Sequence, residues 1–267
     1  MALRGVTKPF RRTARQFRDG RYGEGGRGRY IDHPGFADRP EHYIRAYEVL
    51  EKDLRALFEF IEPADQNLQT YSLRCYELLL RICTEVETNF KAILRENTYS
   101  KSRNLTVADF YKVNTSHYLS DYDVWVPYWS GTDVRRPFLA WSSGRAQLSW
   151  YVAYNEAKHD RVANLHLATF GQVTDAMCGL VVLLAAQFHT HDFAPGPDIL
   201  VWEGLEDGRE SAIGQFFRVG FPSPFPRTSA MTSTGRFSRR TRCRSIASTT
   251  TCCDPPGTPD RFDYDVL

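Results

Sequence analysis

Hydrophobic residues recur at helical spacing along four stretches of the chain, and each stretch predicts a helix. The first stretch has apolar residues three or four positions apart, which predicts a helix over about 41–62. Pro63 and the polar residues after it end this helix. The second predicts a helix over about 70–96, and its segment 77–87 is apolar enough to lie at the centre of a bundle.

Two more long helices and one short helix follow from the same kind of pattern. A third long helix is predicted from Ser142 or Ser143, either of which can act as its N-cap, to about Arg161. A fourth is predicted over about 165–188. A capping box at 106–109 predicts a short helix between the second and third long ones.

The stretch between the second and third long helices is aromatic and has no helical period. Residues 122–129 and 136–141, separated by a Ser-Gly pair, predict a short hairpin or an extended excursion. Pro127 and Pro137 would confine these strands to sheet edges, because proline cannot donate a ladder hydrogen bond. The tryptophans of this region can stack on nucleic-acid bases or cover the open end of a bundle, and the second use is the commoner.

Two further short strands are predicted over 199–202 and 213–221. Together these elements predict a mainly α fold, an antiparallel helical bundle with small β-hairpin excursions and disordered basic termini.

Charge is distributed unevenly along the chain, although the formal net charge of its 267 residues is only +2. Residues 1–30 carry a net charge of +7, residues 31–226 carry −8, and residues 227–267 carry +3. An acidic body between basic ends predicts solvated tails that can contact a polyanion.

Composition divides the chain into a folded body and two tails. We expect a flexible Arg/Gly-rich tail over 1–38, a single helical-bundle domain over 39–222, and a disordered Arg/Ser/Thr/Pro-rich tail over 223–267. The abrupt change of composition over 227–258 also suggests translation from a shifted reading frame, because residues 262–267 again resemble the acidic, aromatic body.

The Gly/Arg-rich stretch 20–29 contains a match to the G-x-G-x-x-G pattern. No predicted strand precedes it and no helix start follows, so its context does not fit a dinucleotide site. A Gly/Arg tract can hold single-stranded RNA through charge and stacking, or it can be a plain solvated tail.

No segment of the sequence predicts a membrane span or an export signal. The longest apolar run, 176–186, is 11 residues long and predicts a buried core helix rather than the roughly 18 residues of a spanning one. Six cysteines without a C-x-x-C pair favour free thiols in a reducing compartment. We therefore expect a cytoplasmic protein that contacts no membrane.

Candidate chemistry is concentrated at the end of the third long helix. Asn155 and His159 are four residues apart and therefore share a helix face, with Lys158 and Arg161 on either side of the histidine. Nearby cations disfavour the charged imidazole, so His159 can act as a general base near neutral pH. The alternative is that Asn155 and His159 form hydrogen bonds within the bundle at a helix end.

These residues resemble the HEPN superfamily, the higher eukaryote and prokaryote nucleotide-binding domains. The resemblance covers roughly 70–190 and depends on 85–94 in one helix and 154–161 in another. The family motif is an Arg, a polar residue that is often Asn, three residues and a His. Asn155 and His159 match it, and Tyr154 stands at the Arg position.

The resemblance implies an antiparallel helical bundle, often a homodimer, that acts on RNA or a nucleotide. Many members are metal-independent endoribonucleases of toxin or antiphage defence systems. In this chain it implies His159 and Asn155 as catalytic residues and Lys158, Arg161 and Tyr154 as phosphate-binding residues, with no cofactor and no metal. The competing hypothesis is a non-catalytic helical module that binds protein or nucleotide.

One other group of residues has ligand chemistry. His189, His191 and Asp192 could offer imidazole and carboxylate ligands to zinc or iron. Their position directly after the fourth helix favours a polar helix end instead.

Overall fold

The most apolar helix lies at the centre of the fold, in a computed structural model that describes residues 10–14, 31, 33–191, 193, 209–211, 213–214, 216–222 and 259–267. Within these residues the helices are α1 (Pro40–Phe58), α2 (Leu73–Glu96), α3 (Val107–His117), α4 (Ser149–His159), α5 (Arg161–Asn164) and α6 (Phe170–Phe188). The strands are β1 (Asp123–Trp125), β2 (Val134–Arg135), β3 (Arg209–Ser211) and β4 (Arg218–Gly220). The predicted mainly α class with small β excursions is confirmed.

Helix α6 is the core helix, because α1, α2 and α4 all contact it. It buries nearly every side chain from Phe170 to Phe188, as the apolar run in the sequence predicts. By length and composition alone α6 could cross a membrane, but 89% of its apolar window is buried within the fold, as in the core helix of a soluble protein.

Helices α1 and α2 confirm the first two predicted helices with shorter bounds. Ser72 caps α2 by accepting a hydrogen bond from the Cys75 backbone N–H at 3.1 Å, so the helix begins after the predicted residue 70. Helix α1 ends at Phe58, because the backbone N–H groups of Glu59 and Phe60 bond carbonyls three residues back, and the chain tightens into a turn.

The predicted start of the third long helix is wrong. The chain instead forms a single 3-10 turn over Leu139–Trp141, and α4 begins only at Ser149. Gly144 takes a φ of +127°, which breaks any helix through 142–148. The Trp141 indole N–H donates to the Ala146 carbonyl at 3.1 Å and holds the intervening loop in place.

A hairpin is present as β1 and β2, and β1 lies within the predicted segment 122–129. The second predicted segment, 136–141, is wrong, because β2 ends before it and Leu139–Trp141 form the 3-10 turn. Both strands join β3 and β4 in an antiparallel sheet of order β2-β1-β4-β3. Val124 pairs with Arg135 on one side and with Val219 on the other, so β1 is an inner strand. The expectation that proline confines it to an edge is wrong, because Pro127 lies two residues beyond the end of β1 and removes no hydrogen bond from the ladder. The strand predicted over 213–221 shortens to β4.

The hairpin tip is attached to the connection between α1 and α2. The Asp65 carboxylate accepts hydrogen bonds from the Trp129 indole at 2.7 Å and from the Thr132 backbone N–H at 2.8 Å. Gly131 passes above this carboxylate with a φ of +116°, and a Cβ there would collide with Asp65. Three tryptophans of this region are buried: Trp129, Trp141 and Trp150. They cover the bundle and are not free to stack on nucleic-acid bases.

Both ends of the described chain pack against the helices, which extends the folded body beyond the predicted 39–222. Phe10 and Asp260 form a parallel bridge, and the rings of Phe10 and Phe262 meet edge to face at 5.4 Å. Tyr264 is fully buried. The expected strand at 199–202, the Gly/Arg tract and the proposed frame shift over 227–258 lie outside the described residues.

A buried arginine explains why the N-terminal segment is part of the core. The Arg12 side chain is fully buried, and its guanidinium donates to Glu96 Oε1 at 2.6 Å, to Gln187 Oε1 at 2.9 Å and to the Asp38 carbonyl at 2.9 Å. Tyr43 lies beneath it, 4.3 Å from ring centroid to guanidinium carbon. Composition alone placed this residue in a solvated tail, because its partners lie far away in the sequence.

A second buried polar group connects the two chain ends. His117 Nε2–H donates to the Arg12 carbonyl at 2.7 Å, and Ser116 Oγ lies 2.8 Å from His117 Nδ1 and 2.7 Å from the Tyr264 hydroxyl. Burial lowers the pKa of His117 to about 4, so the imidazole is neutral at physiological pH.

We predict that Arg12→Ala strongly destabilises the fold. The substitution leaves the Glu96 carboxylate buried without its main partner, which typically costs about 3–5 kcal/mol. Urea denaturation followed by circular dichroism measures the loss. Arg74→Ala is the control, because the Arg74–Glu77 pair at 3.7 Å is exposed and contributes at most about 1 kcal/mol. Equal, small losses for both variants would contradict the role given to Arg12.

We also predict a stability loss on acidification that depends on His117. The folded-state pKa lies below the ordinary 6.5, so the unfolded chain binds the proton first as the pH falls. Stability is therefore present above about pH 6.5 and is lost progressively toward pH 4, by about 3 kcal/mol.

Denaturation midpoints of the parent and of His117→Gln, measured across this pH range, test the assignment. The variant should lose about 3 kcal/mol less than the parent between pH 6.5 and 4. His42→Gln, whose side chain is 63% exposed, should follow the parent. Parallel curves for the parent and His117→Gln would rule the assignment out.

Candidate functional site

The candidate site is the corner where α4 ends and α5 begins. Asp160 leaves the helical conformation with φ −141° and ψ 89°, and its carboxylate caps α5 by accepting from the Ala163 N–H at 3.1 Å. The Asn164 amide donates back to the Glu156 carbonyl at 3.1 Å. These bonds fix the angle between the two helices, and His159 and Arg161 lie on either side of the bend.

Asn155 and His159 lie one turn apart on α4, as predicted. The His159 side chain is exposed and the Asn155 side chain is half-buried. Within the part of the chain that the structure describes, neither side chain has a hydrogen-bond partner. The alternative in which both form hydrogen bonds inside the bundle is therefore not what the described residues show.

Tyr154, at the position of the family arginine, faces the interior. It is 3% exposed, and its hydroxyl accepts a hydrogen bond from Lys158 Nζ at 3.2 Å. The Lys158 ammonium also lies 4.9 Å from the centre of the Tyr154 ring. Tyr154 thus packs α4 against the core and holds Lys158, which differs from its predicted place among the phosphate-binding residues.

A carboxylate on α2 adjoins Tyr154 and Lys158. Glu87 accepts hydrogen bonds from the Tyr151 hydroxyl at 3.1 Å and from Lys91 Nζ at 2.7 Å. Burial acts to raise the pKa of Glu87, but the bonds from Lys91 and Tyr151 outweigh it, so the pKa is lowered. The hydrogen bond to Tyr154 raises the pKa of Lys158, which keeps this ammonium charged.

The charges at the corner are nearly balanced. Arg161 is exposed and forms no ion pair within the described residues, whereas Lys158 is occupied by Tyr154. Glu156 and Asp160 are exposed acids within one turn of both. Among the cationic and imidazole groups of this corner, Arg161 and His159 are therefore the ones left to hold an anion, against the opposing charge of these carboxylates.

A cavity of about 460 Å³ opens along α4 on the same side as His159. Its wall includes Val152, seven residues and therefore two helical turns before His159. The remaining lining residues are Gln69, Gln147, Ser149, Ala153, His166, Leu167, Thr169 and Gln172. Sequence reasoning missed this cavity, because its residues come from three separate stretches of the chain and follow no motif.

The other candidate ligands do not form a metal site in the described residues. No group of three or more His, Cys, Asp or Glu side chains lies close enough there to hold a metal ion. The His189 ring stacks on Phe221 at 4.7 Å, and the His191 ring meets Phe193 edge to face at 4.4 Å. Asp192 lies outside the described residues.

Comparison with known proteins adds no relative. No protein-family model, curated protein or solved structure matches the chain.

We predict that Tyr154→Arg destabilises the protein instead of completing the motif. The new guanidinium would enter a buried position beside Lys158, where a like charge and lost solvation both oppose it. Thermal denaturation should show a loss of several kcal/mol. Tyr154→Phe, which removes only the bond to Lys158, should lose about 1 kcal/mol. A Tyr154→Arg variant as stable as the parent would show that the side chain can turn outward.

Proposed function

We propose that the protein is a HEPN-like protein that binds RNA or a nucleotide, and that it holds a phosphate at the corner of α4 and α5. The observation that carries the proposal is the half-buried Asn155 and the exposed His159 on one helix face, beside the exposed guanidinium of Arg161, which forms no ion pair within the described residues. An amide, an imidazole and a guanidinium supply the donors that phosphate oxygens accept.

Cleavage is the second step of the same proposal. His159 would take the proton of the RNA 2′-hydroxyl as that oxygen attacks the adjacent phosphorus, and Asn155 would position the phosphate. The P–O5′ bond would break, which leaves a 2′,3′-cyclic phosphate on one fragment, and the departing 5′-oxygen would take a proton from water to become a hydroxyl. Arg161 would stabilise the negative charge that develops on the phosphate oxygens. Such an enzyme fits a toxin or antiphage defence component in the cytoplasm, and a homodimer would bring two corners together.

A specific observation favours the competing function, a non-catalytic helical module. Tyr154 replaces the family arginine and is buried, so the charge that would lie inside the motif is absent from α4. Arg161 lies beyond the end of the helix and approaches a phosphate from another direction. Binding without cleavage is the result that this arrangement favours.

We predict that Arg161→Glu weakens binding of single-stranded RNA and lowers its salt dependence. Each lost phosphate contact reduces the slope of log affinity against log salt by about 0.7. Fluorescence anisotropy with a labelled oligoribonucleotide at several salt concentrations measures both quantities. Arg74→Glu on α2 is the charge-matched control, because Arg74 is also exposed and lies on another helix. Equal affinities and slopes for the two variants would contradict phosphate binding at the corner of α4 and α5.

We predict that any cleavage of RNA by the purified protein requires His159. His159→Ala should abolish cleavage while leaving the denaturation midpoint unchanged, because the imidazole is exposed. Cleavage that continues in EDTA would agree with a metal-independent reaction. Undiminished cleavage by His159→Ala, or a parent protein that binds RNA without cutting it, would leave the non-catalytic module as the function.

A further inference from the structure

We propose that the cavity beside α4 binds an unpaired nucleobase. The proposal deepens the proposed function and rests on it for the phosphate half of the ligand. It names the chemical group that lies next to that phosphate and the residues that contact it.

The lining of the cavity selects an uncharged ligand. None of its nine residues is an Asp, Glu, Lys or Arg, and the polar ones are three glutamines, a serine, a threonine and a histidine. A charged group seated here would lose water without gaining an opposite charge. A heterocycle with both donors and acceptors on its edge matches side-chain amides, which carry both.

Several of these polar groups lack partners in the described part of the chain. The side chains of Gln69, Gln147 and Ser149 are exposed around the mouth and form no hydrogen bond there. His166 Nδ1–H donates to the Ala163 carbonyl at 3.1 Å, which leaves Nε2 as an acceptor. The mouth therefore offers amide donors and acceptors together with an imidazole acceptor.

Gln172 supplies an observation that itself points to a missing donor. Its Oε1 atom is enclosed and accepts no hydrogen bond from the described residues. An enclosed carbonyl oxygen without a donor costs about 1–3 kcal/mol. Gln172 also lines the cavity, so a small rotation of its amide lets a ring N–H or an exocyclic amine of a base satisfy this oxygen.

The apolar part of the cavity fits the faces of a base. Val152, Ala153 and Leu167 form the apolar wall, and the His166 imidazole is a ring on which a base can stack. The cavity volume of about 460 Å³ lies in the range of small-molecule sites. Apolar walls and a polar mouth together favour an aromatic heterocycle, whose two faces are apolar and whose edge is polar, over a sugar, which carries hydroxyls around its whole ring.

The position of the cavity connects it to the phosphate corner. Val152 and His159 are two turns apart on one side of α4, which is about 10 Å along the helix axis. A short single strand with its base in the cavity can therefore pass along α4 with a neighbouring phosphate at Arg161 and His159. Unpaired bases are the usual basis of RNA recognition by proteins, because their edges are free.

The test uses free ribonucleosides, which carry no phosphate and so do not depend on the corner. Adenosine, guanosine, cytidine and uridine are each titrated into the full-length ¹⁵N-labelled protein, and the side-chain amide resonances are followed by NMR. At least one nucleoside should shift the resonances of Gln69, Gln147 and Gln172 in a saturable way. The buried Gln187 amide, which already donates to Asn89 at 3.0 Å, should not move.

Three variants locate the binding. Val152→Trp fills the cavity and should abolish the shifts, whereas Val162→Trp, at an 89% exposed position on α5, should leave them unchanged. Gln172→Leu keeps the size of the side chain and removes its amide. Nucleoside affinity should therefore fall about tenfold, the loss expected when one or two hydrogen bonds are removed. Each variant is first checked for the parent's circular dichroism spectrum.

The outcomes separate this proposal from the proposed function. If no nucleoside shifts the glutamine resonances, or ribose alone shifts them equally, the nucleobase site is overturned whatever RNA does at Arg161. If nucleosides bind as expected but Arg161→Glu leaves RNA affinity unchanged, the nucleobase site is supported and the phosphate site at the corner is contradicted. Abasic RNA that binds the parent as tightly as base-bearing RNA would overturn the nucleobase site alone.

Discussion

The fold depends on one buried charge. A guanidinium without access to water is stable only when its donors meet acceptors in the interior, and Arg12 finds them on Glu96, Gln187 and the Asp38 carbonyl. These acceptors lie at the end of α2, near the end of α6, and just before α1. The three helix ends must therefore meet at one point around the guanidinium. Gln187 in turn donates to Asn89, which extends the same network into the middle of the α2–α6 contact.

The same interaction changes the meaning of the charge distribution. The N-terminal excess of positive charge suggests a tail that binds a polyanion, but two of its arginines form ion pairs with the folded body. Arg11 lies 3.4 Å from Glu96, and Arg12 is fully buried against that carboxylate. The Arg12 carbonyl also accepts from His117, whose neighbour Ser116 contacts Tyr264 near the other chain end. Part of the basic terminus thus serves the fold, and a nucleic-acid contact by the body must come from local surface groups.

Periodic features of the sequence predict the helices well, and non-periodic ones do not predict the contacts between distant segments. The apolar faces of α1 and α2 repeat every three or four residues, so burial on one side follows from spacing alone, and the continuous apolar run of α6 predicts burial all round. The late start of α4 depends on the left-handed Gly144 and on a tryptophan bond to Ala146, neither of which leaves a periodic mark. The candidate site follows the same division. Asn155 and His159 share a face because their spacing requires it, whereas the cavity collects residues whose common position only the tertiary structure creates.

Helix α4 has one side that packs against the bundle and an opposite side that carries the candidate site. Tyr154 and Ala157 are buried against the bundle and hold the helix rigidly, while Val152, Asn155 and His159 lie along the opposite side. The buried Tyr154 adds to the packing side and supplies no charge to the other side. Arg161, which has no ion-pair partner in the described part of the chain, lies past the end of the helix, in sequence near Glu156 and Asp160. If RNA binds as proposed, a site with so little net charge gains little from general attraction to the phosphates, so selectivity would come from the shape and hydrogen bonds of the neighbouring neutral cavity. Recognition of an unpaired base is the form of binding that this distribution of groups favours.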